Sequence, residues 1–338
     1  MKKRGIGFAS VFQGATYHFG HRDEARIRVE VTENNHFQIY AAISDIGQGL
    51  EAALRILLAE ALGGIPPRFV EWAEPSTATS PNAGATGASR VTTVVGNAVW
   101  LAGQELKTRL IAVAAGLMGA PIEETRMEGE RFCSPNAQIG LQEVLAEARR
   151  QGVNLRVEAT FAAADTTPLD ENGQGEMPVN QFGYATHIAE VEVDTETGEV
   201  QVLRVVAIHD SGKIINPIDA EGQVEGGVVM GLGQALTEHL IIKGGVPLTE
   251  SFSTYLIPTT LDAPLSIESE FVDGGAPFGE IGVKGLAEIP CVAILPAIIN
   301  AIYNATGARI RTLPATPEQV WRAIRGVTGT REATCPEA

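Results

Sequence analysis

Cysteine is scarce in this 338-residue chain: Cys133, Cys291 and Cys335 stand far apart, with no C-x-x-C pair. An odd, dispersed set excludes a disulfide framework, and with it an iron–sulfur or zinc site built by this chain alone. It fits a reducing setting, so the expected location is cytoplasmic. Positive charge is also short: 25 Lys and Arg stand against 41 Asp and Glu, a net charge of -16. Beyond Lys2-Lys3-Arg4 there is no basic cluster, which argues against nucleic acid or anionic lipid as the main partner. No apolar run approaches the ~18 residues of a membrane span. The basic start lacks the apolar stretch of a signal peptide, because Gln13 and Thr16 interrupt it. The 6 histidines form no H-x-x-x-H or H-E-x-x-H pattern, so no metal ligand is expected from this chain. Nor does any Ser–His–Asp or Cys–His arrangement follow from spacing. Nucleotide fingerprints are missing too. Ser211-Gly212-Lys213 lacks the upstream glycine of a P-loop, and the G-x-G-x-x-G pattern that starts at Gly231 fails at Leu236.

What is present is an ordinary globular composition, 44% hydrophobic and 20% charged, in a chain long enough for two lobes. Ile27, Val29 and Val31 alternate with charged residues, and Phe37 to Tyr40 continues in the same manner, so residues 26–44 read as strands turning at Asn34-Asn35. Asp45-Ile46-Gly47-Gln48-Gly49 forms a glycine loop. The helix after it carries Ala53, Leu54, Leu57, Leu58 and Leu62 on one face and stops at Gly63-Gly64. A second helix is predicted from near Ser89 to Met118, and a third from Leu141 to about Gln151. Residues 160–182 read as a long connection, which places a lobe boundary near 155. Beyond it, Ile188 to Asp194 and Val200 to Val206 form a hairpin. A glycine-rich helix to about Leu240 follows, and the loop 273–288 feeds a buried helix from Pro290 to Thr306. The order indicates an α+β protein of two mixed α/β lobes, 1–155 and 156–330, with 331–338 as a flexible tail.

Three segments share one design, a small-residue loop feeding a helix N-terminus: Gly47-Gln48-Gly49, Thr86-Gly87-Ala88-Ser89, and Gly222-Gln223 with Gly226-Gly227. Unpaired N–H groups at such ends bind anions, and a glutamine amide suits the edge of a heterocycle. Each segment read alone is more simply an ordinary turn. Glu288, just before Ile289-Pro290, has two readings as well. It is either an acid stabilised by a helix dipole or a general base beside an apolar helix.

Taken together, several stretches form an ordered set over about residues 5–325. They are Asp45 to Gly49, Gly84 to Arg90 with Gly96-Asn97-Ala98-Val99, Ala189 to Asp194, Asn216-Pro217, Glu221 to Gly227, and Lys284 to Glu288. In this order the chain resembles the C-terminal portion of the cofactor-binding subunit of the xanthine dehydrogenase/aldehyde oxidase family of molybdenum hydroxylases. The resemblance implies that molybdopterin, with the cytosine dinucleotide form favoured, lies between the lobes at helix N-termini. It implies that Gln48 and Gln223, with Gly47 and Gly49, hold the pterin. Thr86, Gly87, Ala88, Ser89 and Arg90 would line the cofactor and the metal pocket, flanked by Lys284 and Gly285. Glu288 would be the catalytic base, taking a proton from a molybdenum-bound hydroxide whose oxygen enters an N-heteroaromatic compound (nicotinate or purine-like) or an aldehyde. The molybdenum would be held by the pterin dithiolene, not by protein ligands. The family's Gly-Val-Gly-Glu is Gly285-Leu286-Ala287-Glu288 here. The family's upstream half, its 2Fe-2S cysteines and its FAD domain have no counterpart in this sequence. The resemblance therefore implies a divided enzyme of the nicotinate dehydrogenase type, with a second molybdopterin-binding subunit, an iron–sulfur subunit and a flavin subunit as partners. A second reading is a non-catalytic cofactor-binding or assembly module of such a complex.

Overall fold

The computed structural model describes residues 1–326; the expected tail at 331–338 and Cys335 lie outside them. The chain folds as a mixed α/β protein around two four-stranded sheets. The first sheet is built from β2 (Glu24–Val31), β3 (Phe37–Tyr40), β4 (Val70–Trp72) and β8 (Arg156–Ala162), in the order β4-β3-β2-β8. The second contains β1 (Lys2–Gly14), β9 (Phe182–Asp194), β10 (Val200–Asp210) and β13 (Ser266–Val272), in that order. A small meander of β5 (Arg126–Glu128), β6 (Arg131–Ser134) and β7 (Ala137–Gly140) borders the first sheet's helices. A two-residue pair, β11 (Ile242–Lys243) and β12 (Val246–Pro247), stands apart.

The expected division at 155/156 does not follow the sheets. β1 pairs antiparallel with β9 along its whole length, from Lys2↔Asp194 to Gly14↔Phe182, so the first strand of the chain belongs to the second sheet. β8 pairs with β2, so residues just past the expected boundary close the first sheet. Period-2 patterning identifies a strand but not its partner, and here the partners are about 180 residues apart. The helices follow their signals more closely. α1 (Leu50–Ala61) buries Leu50, Leu54, Leu57 and Leu58 and ends before Gly63 and Gly64, both at positive φ. A π-helical turn (Val91–Val95) precedes α2 (Gly96–Met118), and α3 (Leu141–Arg150) packs beside α2. In the second lobe, α4 (Pro217–Leu236) and α5 (Pro290–Thr306) lie against one another; α5 also covers β1 and β9, and α6 (Pro317–Ile324) follows.

Each sheet has its own hydrophobic core. Ile281 and Val283 are buried in the first core, whereas Ile289 and Ala293 are buried beside β9 in a small cluster next to the second. The loop between these anchors, 284–288, is therefore held at the junction of the lobes. Burying Ile281, Val283 or Ile289 is worth about 1.5–3 kcal/mol each. The second sheet's outer face is uncovered: Ile6, Phe8, Phe12 and Tyr184 are exposed on it. The irregular stretch 237–265 also exposes Leu240, Ile242, Leu248, Phe252 and Leu261.

Candidate functional site

The junction contains a cleft of about 180 Å³ where four loops meet: 46–49, 86–92, 211–216 and 284–288. Each is held by contacts the sequence dictates. Asp45 accepts from the amides of Gly47 (2.9 Å) and Glu51 (3.4 Å), folding the first loop over the start of α1. Gln48 lines the cleft. Its Oε1 accepts from the Ile46 amide at 2.8 Å, while its Nε2 is buried without a partner among the described residues. Gly49 caps α1 at φ 76 and lies beside the Asp219 carboxylate of α4. The N-terminal ends of α1 and α4 thus converge on one cavity, and their free N–H groups favour a ligand rich in acceptors.

Thr86 ties the second loop to the first: its hydroxyl donates to the Ser44 carbonyl at 2.7 Å and accepts from the Ser44 amide. Ala88 and Ser89 have φ of 51 and 48, two successive non-glycine residues in the left-handed region. Such residues cost about 1–3 kcal/mol each and persist only where the surroundings impose them. Arg90 does the imposing. Fully buried, it donates to Asp23 Oδ1 (2.7 Å) and to the carbonyls of Ala83, Ala85 and Glu24. Although Arg90 borders the cleft, its guanidinium is committed to the protein and braces the strained turn. Gly47 and Ala88 shape their loops without lining the cleft: Gly47 has φ 104, and the Ala88 carbonyl accepts from the Thr16 amide.

The fourth loop contributes Lys284, Gly285 and Glu288. Lys284 is buried and pairs with Asp210 at 2.8 Å. Burial alone would raise the Asp210 carboxyl, but the Lys284 ammonium and the amides of Gly212 and Gly274 hold it below the usual carboxylate range. Gly285 sits so close to the second loop that a Cβ there would lie 2.0 Å from the Ser89 carbonyl oxygen. That approach brings Ser89 Oγ to Glu288 Oε2, a hydrogen bond of 2.7 Å; Gln13 Nε2 donates to the same oxygen at 3.4 Å. Glu288 is exposed to the cleft immediately before α5.

One expectation about local structure is corrected. Gly222-Gln223 and Gly226-Gly227 are not a loop feeding a helix; they lie inside α4, which begins at Pro217 behind the N-cap Asn216. Gly227 instead admits α5: a Cβ there would meet Pro290 at 2.5 Å. Gln223, half-buried in the second turn of α4, still faces the cleft. The Asn-Pro pair is the signal that locates this helix start. Sequence reasoning missed Ser211, Lys213, Asn216 and Asp219 as lining residues. Among the described residues no group of three or more His, Cys, Asp or Glu is placed to hold a metal ion.

Residues 1–264 match the family described as molybdopterin cofactor-binding domain. The chain is 30% identical over 324 residues to a putative xanthine dehydrogenase molybdenum-binding subunit of Escherichia coli K12, covering 94% of this chain and 42% of that protein. It is 31% identical over 320 residues to the nicotine 6-hydroxylase large subunit of Paenarthrobacter nicotinovorans, covering 93% and 38%. Among solved structures it superposes on the aldehyde oxidoreductase of Desulfovibrio desulfuricans with a TM-score of 0.78 at 31% identity, covering 95% of this chain and 32% of the other. On quinoline 2-oxidoreductase of Pseudomonas putida 86 the TM-score is 0.83 at 25% identity, covering 96% and 42%. The chain thus spans less than half the length of these relatives.

Proposed function

The chain belongs to the molybdopterin cofactor-binding domain family, and from that premise we propose that its cleft holds a molybdopterin cofactor, with Glu288 as the base of a molybdenum hydroxylase. The observation that carries the reading is a convergence. Gln48, Ser89, Gln223 and Glu288, spread over some 240 residues of sequence, border one cavity, with Ser89 hydrogen-bonded to Glu288. The cleft fits a pterin: Gln48 Nε2 is a buried donor without a partner, and three helix starts bring N–H groups to its rim.

When bound, the cofactor supplies a molybdenum centre that takes up the two electrons of the oxidised C–H bond. The chain's own residues bind and orient. The carboxamides of Gln48 and Gln223 each offer a donor and an acceptor to the heterocycle's edge. Ser89 fixes the Glu288 carboxylate by donating to Oε2, which leaves Oε1 without a partner among the described residues. Oε1 accepts the proton of the water-derived oxygen as that oxygen bonds to an electron-poor carbon of the substrate. The substrate class is an N-heteroaromatic compound, nicotinate- or purine-like, or an aldehyde. The cofactor form is the cytosine dinucleotide, and the complex works in the cytoplasm.

The cleft is open and small beside the roughly 300–1,000 Å³ of sites that enclose a ligand. A second molybdopterin-binding polypeptide closes it, with iron–sulfur and flavin subunits carrying the electrons away. Relatives named as the large or molybdenum-binding subunit of an enzyme support a multi-chain assembly. The exposed stripe Ile6, Phe8 and Phe12 lies on the face of β1 turned away from α5, along the strand whose last residues, through Gln13, reach Glu288; we propose that this polypeptide packs on that face. In the assembled complex, Glu288→Gln is expected to keep molybdenum and pterin while turnover falls about 10²–10⁴-fold. Metal analysis with steady-state assays checks this. Near-normal turnover in a fully loaded variant would refute Glu288 as base, and a loaded wild-type complex with no hydroxylation would favour the assembly-module reading.

A further inference from the structure

We propose that Ser211 is a cofactor-holding residue, its hydroxyl reserved for a polar atom of the bound pterin cofactor; this rests on the reading of the cleft as a molybdopterin site. Ser211 lies just beyond the C-terminal end of β10, where the second sheet gives way to the loop leading into α4. It borders the cleft and is 2% exposed, yet its Oγ has no hydrogen-bond partner among the described residues. A buried hydroxyl in that condition has lost its hydrogen bonds to water and gained none in return, which destabilises the fold. Native structures rarely tolerate such groups without a use for them. Alanine would fill the same place with no penalty of this kind.

The backbone around the hydroxyl is fixed before any ligand arrives. Asp210 is pinned on one side by Lys284 Nζ. The Lys284 amide donates to the Ser211 carbonyl at 2.9 Å, and the Lys213 amide donates to the Gly282 carbonyl at 2.8 Å. Gly212 forms an isolated bridge with Val283. The segment carrying Ser211 is thus stitched on both sides to the loop that leads to Glu288. A hydroxyl presented on so rigid a support loses little conformational entropy on binding. Serine can donate to a ring nitrogen, a carbonyl or a phosphate oxygen, and can accept from a ring N–H. Every polar portion of a pterin cofactor offers at least one of these. Among the described residues, Gln48 Nε2 is the other buried, unpartnered polar side-chain atom of a residue on this cavity. The two together mark the wall on which the heterocycle or its phosphate arm rests.

The test uses the complex purified with its partner chains, comparing wild type, Ser211→Ala and Ser211→Thr. Molybdenum is measured by mass spectrometry and pterin by fluorescence after oxidation. The rate of cofactor release is followed after dilution into mild urea. Ser211→Ala is expected to release the cofactor about three- to tenfold faster, the worth of one neutral hydrogen bond. Ser211→Thr, which keeps the hydroxyl, should restore the wild-type rate. The melting temperature of the cofactor-free chain should be unchanged or raised by Ser211→Ala, because an unmet buried group is removed. If Ser211→Ala releases cofactor at the wild-type rate from a fully loaded complex, the role of Ser211 is overturned while the cofactor reading stands. If the wild-type complex holds neither molybdenum nor pterin, both fall together.

Discussion

At the scale of single residues, two fully buried pairs stand out, one charged and one neutral. Arg90 and Asp23 are buried together, and the guanidinium's donors are used up on Asp23 and three carbonyls. Removing one partner of such a pair leaves a buried charge uncompensated, at about 3–5 kcal/mol. His187 and His209 face one another across β9 and β10, Nε2 to Nε2 at 3.1 Å, fully buried. Burial, and for His187 also the neighbouring imidazole, pushes them down to about 3 and about 4 respectively. Unfolded, each would titrate near 6.5. The unfolded chain therefore binds more protons below that pH. The stabilisation is complete above about pH 6.5 and drains away as pH falls toward the folded-state values. Each histidine contributes a slope of up to about 1.4 kcal/mol per pH unit in that window. Urea denaturation at pH 7, 6 and 5 should show the decline, and the double variant His187→Gln/His209→Gln should flatten it. An unchanged slope in the variant would assign the acid sensitivity elsewhere.

At the scale of elements, what builds the site is the distance between loops. The loop 284–288 touches the strained turn at Ala88-Ser89 only because position 285 lacks a side chain. Gly285→Ala is expected to push the two loops apart and break the Ser89–Glu288 bond. Turnover would fall about 10²-fold, since misplacement of a reacting group by about 1 Å costs that much. Loop anchoring by Ile281 and Val283 should keep the thermal melt close to wild type. Paired activity and melting measurements check this, and a variant with normal turnover would show that the contact does not set the geometry. Much at this scale was legible in advance. Leu54, Leu57 and Leu58 with Gly63-Gly64 announced α1, and Pro290 announced the start of α5. The start of α4 was misplaced because its glycines look like a loop, whereas Gly227 exists for close packing against Pro290.

At the scale of the whole molecule, the uncovered face of the second sheet matters most. Phe8 and Phe12 are both 67% exposed, an unusual fate for two aromatic rings on one strand face. Phe8→Glu/Phe12→Glu should leave the melting temperature of the isolated chain unchanged, because neither ring is in a core. Association with the proposed partner polypeptide should weaken by about 2 kcal/mol or more, as for aromatic anchors at interface centres. Co-expression followed by size-exclusion chromatography measures it; undiminished assembly would place the partner on another surface.

The sequence by itself determined most of the elements, because side-chain period and cap residues are local properties: Ile27 and Val29 alternate, Gly119 stops α2, and Pro290 opens α5. It also determined which residue types were candidates for the site, Gln48, Ser89, Gln223 and Glu288 among them. Only the tertiary structure decided that β1 crosses to the second sheet, that Arg90 turns inward to Asp23, and that Ser211 lies buried beside the cleft without a partner. Those outcomes depend on pairings between residues far apart in the chain. No local pattern encodes such a pairing, because its free energy comes from surfaces that meet only once both lobes have folded.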